Sequence, residues 1–226
     1  AFETALAGAE AAEDVIPEAA ARAIAAALAG FRPDRAALLA GVARDGVVIP
    51  ELVRQLRAAV GPEHGSHLHF GATSQDVIDT GLVLRLKAVL PVLGARIDTV
   101  AATLGALADR FGGQPLMGRT RMQAAIPITV GDRIASWRGP LLRQRARLGA
   151  VADEVLVVQF GGAAGTLEKL GAKGPAVRAG LAARLGLGDV PQWHSQRDRI
   201  ALLAGWLATT SGVLGKFGQD VALMAQ

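Results

Sequence analysis

Apolar residues recur at Val83, Leu86, Leu90, Leu93, Ile97, Val100, Leu104, Leu107 and Phe111, in alternating steps of three and four. That spacing is the seam of a helix that packs against other helices along its length. Thr73-Ser74-Gln75-Asp76 precedes the seam with a capping hydroxyl and an acid three residues on, so the helix is expected from Ser74 to Phe111. At 1.5 Å per residue it measures roughly 57 Å, and Pro91 is expected to kink it without ending it. The stripe returns at Ile200, Leu203, Leu207, Leu214, Phe217, Val221 and Met224, with Thr210 at the one polar heptad position. Two such rods exceed what a globule of 226 residues encloses. The economical solution is an all-α, elongated bundle that completes its core as a homo-oligomer.

Composition supports that class. The AVILMFWYC set makes up 51% of residues, aromatic residues only 4%, and Tyr is absent, so burial falls to Ala, Leu, Val and Ile, which suits close-packed helices. A net charge of +4, from 24 basic and 20 acidic residues, is no nucleic-acid footprint. With no cysteine, disulfides, thiolate metal sites and cysteine nucleophiles are excluded, and a cytoplasmic enzyme is expected. Ile200 to Gly215 carries Thr209, Thr210 and Ser211 and is too short to span a bilayer, so it reads as a buried helix with no membrane role.

The remaining punctuation outlines the organisation. An Ala-rich stretch over 3–29 breaks at Pro17, a short helix is expected around 50–60, a third long helix runs from Arg133 to about Val151 with a kink at Pro140, and a shorter one starts at Pro175. The expected domains are a small irregular helical unit over 1–72 and a long-helix bundle over 73–226. Helical pattern is already under way at Ala1 and still running at Gln226, so the natural chain is expected to extend past both.

Four polar segments interrupt the helices. His64, His67 and His69 cluster ahead of Thr73, but without cysteine and with Glu63 as the nearest acid they are poor metal ligands, and no metal is expected. The helix start, with free backbone N–H groups and the hydroxyls of Thr73 and Ser74, suits a carboxylate or phosphate, and equally serves as a plain cap. Gly118-Arg119-Thr120-Arg121-Met122-Gln123 gathers two guanidinium groups, a hydroxyl and an amide, which fits anion binding or a solvated turn. Gln159-Phe160-Gly161-Gly162-Ala163-Ala164-Gly165-Thr166 lacks the lysine of a phosphate loop and reads as a flexible ligand loop or a helix-to-helix turn. In Gln192-Trp193-His194-Ser195-Gln196-Arg197 the adjacent His and Ser do not make a hydrolase, since neighbours in sequence seldom reach each other as base and nucleophile.

Taken in order, His-x-Gly-Ala-Thr-Ser-Gln-Asp (69–76), Gly-Arg-Thr-x-x-Gln (118–123), Gln-Phe-Gly-Gly-Ala-x-Gly-Thr (159–166) and Trp-His-x-Gln-Arg-Asp (193–198) resemble the fumarase, aspartase and adenylosuccinate lyase superfamily. Within it the series is most similar to the bacterial 3-carboxy-cis,cis-muconate cycloisomerases of the β-ketoadipate pathway. The resemblance implies an all-helical homotetramer with active sites shared between subunits, no cofactor, and a small polycarboxylate as substrate. It also implies a serine-bearing loop that these residues do not contain, expected beyond Gln226. Where adenylosuccinate lyases usually place His after the Gly-Arg-Thr, this chain has Arg121, which weighs against that activity and leaves the proton donor unassigned.

Site roles carried by the resemblance put His69 and Ser74 at the chemistry. Thr73, Arg119, Thr120 and Gln123 would hold carboxylates, and Gly165, Thr166, His194, Gln196 and Arg197 would be further contacts. The alternatives are an adenylosuccinate lyase or related β-elimination lyase and, in a different class, a non-catalytic helical oligomerisation module.

Overall fold

Asp76 reaches back to accept a hydrogen bond from the Thr73 backbone N–H at 3.0 Å, closing one half of the expected capping box. In the computed structural model, which describes residues 1–225, the helix so begun runs unbroken over Ser74–Phe111 with Pro91 inside it. In chain order the elements are α1 (Phe2–Ala12), α2 (Glu18–Leu28), α3 (Arg35–Asp45), α4 (Ile49–Val60), α5 (Ser74–Phe111), β1 (Pro115–Thr120), β2 (Gln123–Thr129), α6 (Val130–Val155), α7 (Gly174–Leu185) and α8 (Asp198–Met224). The chain divides into two units, one of Ala1–Leu86 with Leu156–Arg197, the other of Lys87–Val155 with the chain from Asp198 onward. The expected boundary at 72/73 falls inside the first unit.

In the first unit α1 lies in the middle of the apolar interior. Its Phe2, Leu6 and Ala9 pack with Val158, Phe160, Val177 and Leu181, while Ala7 packs with Ile24, Ile49, Leu56 and Leu68. Pro17, which breaks the Ala-rich stretch, is the N-cap of α2, and Asp34 caps α3 by accepting from the backbone of Ala36 and Ala37. The loops after α6 are tied by a single parallel bridge between Val157 and Gly188.

The same unit is knit by one face of α5. Asp76, Asp79 and Thr80, spaced i, i+3 and i+4, are all buried. Asp76 Oδ1 accepts from Gln159 Nε2 at 2.9 Å and Gly161 N at 3.0 Å, and Oδ2 accepts from Gly162 N at 3.0 Å in addition to Thr73. Burial pushes its carboxyl above the usual aspartate range, and the four N–H donors oppose that rise. Thr80 Oγ1 both donates to the Gln159 carbonyl and accepts from the Gln159 N–H, at 2.9 and 3.0 Å. Asp79 takes a bidentate pair from Arg197, at 2.7 and 3.0 Å.

In the second unit Leu90, Ile97 and Leu104 of the α5 seam, spaced seven apart, are buried, while Leu107 is 42% exposed. Gly94 lets α6 approach, since a Cβ there would sit 2.9 Å from a Leu148 methyl. α6 and α8 join through Trp206 Nε1 donating to the Gln144 carbonyl and Trp137 Nε1 donating to Asp220. The expectation of a buried Ile200–Gly215 needs correction: α8 buries only Leu203, Trp206 and Thr210 and leaves Leu207, Leu214 and Val221 exposed. Among the described residues α8 is the one helix long and apolar enough to cross a membrane. Its Arg199 pairs with Glu154, and its Lys216 with Asp220, which also meets Arg133; these interactions suit a bundle helix in water.

The segment 118–123, read from sequence as an anion-binding segment or a solvated turn, lies within a strand pair that the sequence reading did not include. Residues 115–129 form an antiparallel hairpin, with Thr120 opposite Gln123 across a two-residue turn in which Arg121 and Met122 both have positive φ. Such turns usually announce themselves with Asn-Gly or Asp-Gly, and Arg-Met carries no such signal. The register shifts at Gly118, where a Cβ would lie 2.8 Å from the Ile126 carbonyl oxygen. Thr129 then exchanges hydrogen bonds with Asp132 to cap α6.

Two outcomes follow for stability. Asp76→Asn replaces one of its two acceptor oxygens with an amide NH2 donor that faces N–H donors, and is expected to cost about 3 kcal/mol in chemical denaturation; a loss below about 0.5 kcal/mol would show that the four bonds are dispensable. Glu10, fully buried on α1, is pushed up to about 9, first by burial and then by Glu3. The unfolded chain releases that proton near pH 4.5 and the folded chain keeps it to about 9, so stability falls as pH rises between those values. Glu10→Gln should flatten that decline in urea midpoints measured from pH 5 to 9, whereas parallel curves would refute the assignment.

Candidate active site

Three of the four polar segments meet in the first unit. Gln159 is the joint: its Nε2 donates to Asp76, and its Oε1 accepts the Trp193 backbone N–H at 2.6 Å. Trp193 is buried, donates from Nε1 to the Val158 carbonyl, and lies under the Arg197 guanidinium, 5.2 Å from its ring centroid. The segments 69–76, 159–166 and 193–197 are therefore one interlocked structure built on the first turns of α5.

The glycines of the second segment are demanded by that closeness. Gly162 has φ +69°, and a Cβ on it would sit 2.8 Å from the Gly71 carbonyl oxygen. Gly165 has φ +82°, and a Cβ there would fall 2.8 Å from the Gln192 amide nitrogen. Gln192 itself accepts the His194 N–H at 3.2 Å. Its side chain thus lies over the glycine loop, a contact the sequence did not signal.

Within this frame the expected residues divide by what already engages them. Ser74 opens α5 half-buried, and among the described residues nothing engages its hydroxyl; Thr73 is tied only through its backbone. Together with the N–H groups of the first turn they leave a polar, electropositive helix start open to an anion. His69 is half-buried with φ +64°, its Nδ1 2.7 Å from Glu3 Oε1. His194 has a buried Nδ1 without a partner. Thr166 donates to Glu168 at 3.0 Å, Gln196 is exposed, and the Arg197 guanidinium is occupied by Asp79 and the His194 carbonyl. Glu3, Asp79, Thr80 and Gln192 were not singled out from the sequence. Of these, only the Asp76, Asp79, Thr80 spacing offered a readable signal.

Arg119, Thr120 and Gln123 belong to the second unit, where the hairpin presents all three to solvent around the Arg121-Met122 turn. Among the described residues no three His, Asp or Glu side chains come together as a metal site. The chemistry on offer is hydrogen-bond donation to anions and proton exchange at imidazole.

Comparison with known proteins agrees with this architecture. A family model described as lyase matches residues 1–226. The 3-carboxy-cis,cis-muconate cycloisomerase of Pseudomonas aeruginosa is 44% identical over all of this chain and 50% of its own length. Among solved structures, the 3-carboxy-cis,cis-muconate lactonizing enzyme from Pseudomonas putida superposes with a TM-score of 0.96 at 42% identity, over 100% of this chain and 52% of that one. A fumarate lyase from Mesorhizobium sp. BNC1 gives 0.95 at 42% identity, over 100% and 53%. The chain spans about half the length of these relatives. Sequence, motif order and fold thus agree: the chain belongs to the lyase family, within the fumarase and aspartase superfamily.

Proposed function

We propose that the protein is a 3-carboxy-cis,cis-muconate cycloisomerase. The observation that carries this reading is the whole-chain likeness to the lactonizing enzyme, in sequence and in backbone at once. The reaction is addition of one carboxylate of the substrate to its own conjugated double bond, closing a five-membered lactone while a proton reaches the neighbouring carbon. Its costly feature is negative charge spreading onto the carboxylate conjugated with that carbon. Preorganised donors at that carboxylate lower the barrier, each by about 10²-fold or more in rate.

In this reading the α5 start, with Thr73 and Ser74, holds one carboxylate, and Arg119, Thr120 and Gln123 hold another. His69 orients the substrate or shares its proton. Gly165 and Thr166 shape the loop, His194 and Gln196 border it, and Arg197 acts through Asp79 by fixing the loop to α5. The protein works in the cytoplasm as a homo-oligomer, a tetramer by the resemblance, with loops of separate copies converging on the substrate. The apolar residues that α5 and α8 leave uncovered, Leu107, Leu207, Leu214 and Val221 among them, support self-association.

The full-length protein is expected to sediment as an oligomer and to consume 3-carboxy-cis,cis-muconate with loss of its diene absorbance. Ser74→Ala and Arg119→Ala should each lower turnover about 10²-fold while the protein stays folded. Absence of turnover together with cleavage of adenylosuccinate would replace this reading with a β-elimination lyase. Silent substitutions in a protein that binds no polycarboxylate would leave a non-catalytic oligomerisation module.

A further inference from the structure

His69 is held from two directions by residues far from it in sequence. Its ring Nδ1 meets Glu3 Oε1 of α1 at 2.7 Å, across 66 positions, with side chains only 13% and 6% exposed. The carbonyl just before it, Leu68 O, accepts from Arg57 Nη2 and Nε of α4 at 3.0 and 3.3 Å. Between these anchors His69 adopts φ +64°, a left-handed conformation seldom taken by residues with a side chain. Such a conformation persists where surrounding contacts over-determine it, and two anchors on separate helices do so here.

The ring is therefore placed with more constraint than a loop histidine needs for packing. A carboxylate oxygen only accepts, so Nδ1 carries the proton facing Glu3 and Nε2 is left as the free ring nitrogen. The second Glu3 oxygen is buried without a partner, as are both oxygens of Glu10, seven residues further along α1. Glu10 keeps its proton through neutrality, first because burial disfavours its charged form and then because Glu3 lies close by. Of the cations on the helices packed against α1, Arg22 of α2 pairs with Glu18 and Arg178 of α7 with Asp189, while Arg184 of α7 lies against Gly8 of α1.

We propose that Glu3 is a positioning residue of the active site, fixing the ring plane and tautomer of His69 so that Nε2 is the atom that meets the substrate. The substrate in this statement rests on the cycloisomerase reading; the positioning rests on the geometry alone.

The test uses the full-length protein. ¹⁵N NMR should show the His69 ring as the Nδ1–H tautomer, and Glu3→Gln should shift it toward a mixture. With 3-carboxy-cis,cis-muconate, Glu3→Gln should lower kcat about 10-fold to 10²-fold with KM changed little, because a displaced ring misaligns the reacting atoms. In a His69→Gln background the same change should have no further effect on kcat. An Nε2–H tautomer in the unsubstituted protein, which needs no variant to fold, would overturn the proposal, as would losses from Glu3→Gln and His69→Gln that multiply. A protein that shows the Nδ1–H tautomer and its change in Glu3→Gln yet leaves 3-carboxymuconate untouched would support the positioning and refute the substrate assignment.

Discussion

A single buried carboxyl organises the first unit. Asp76 offers two oxygens to four N–H groups drawn from the helix start, the glycine loop and the Gln159 side chain. Each of those groups would carry an unmet desolvation cost without it, so the helix start and the loop must be built together or not at all. Gln159 then passes the constraint to Trp193, and Asp79 repeats it through Arg197. Segments more than 80 residues apart acquire one fixed geometry. The Ser74 hydroxyl, which nothing engages among the described residues, is held in place without being satisfied, beside a first turn in which the Asp76 N–H already donates to the Thr73 carbonyl. That is the condition a preorganised anion site requires.

The second unit follows a different logic. Its helices carry seams only half covered within the chain: Leu90, Ile97 and Leu104 are buried, while Leu107, Leu207, Leu214 and Val221 remain in solvent. Small residues and indole hydrogen bonds fix how its own helices pack, as Gly94 against Leu148 and Trp206 on the Gln144 carbonyl show. The uncovered stripes have the periodicity of a helix interface, which makes further copies of the chain the natural cover in the proposed assembly.

Much of this was legible from sequence because it is periodic or positional. The seam of α5, the break at Pro17 and the Asp76 half of the capping box each rest on a local rule that tertiary structure did not override, whereas the Thr73 hydroxyl, expected as the other half, makes no capping bond among the described residues. The hairpin was not legible, since its turn is Arg121-Met122 rather than a glycine pair and its strands lack a clean buried face. The exposure of α8 was missed for another reason: apolar periodicity marks a face to be covered and does not say whether this chain covers it. In the candidate site the motifs were visible and their interlocking was not. Glu3 on α1 and Gln192 beside Trp193 act through space, across distances in sequence that spacing rules do not reach.

In the proposed function the frame around Asp76 presents Ser74, and the Glu3 and Arg57 anchors present His69, to one carboxylate of a polycarboxylate. A crystal structure of the full-length protein with the lactone product bound addresses this most directly. A product carboxylate oxygen about 3 Å from Ser74 Oγ and from the first amides of α5, with His69 Nε2 in hydrogen-bond range of the ligand, is the predicted result. Product lodged elsewhere, with water on Ser74 and His69 turned from it, would contradict the account.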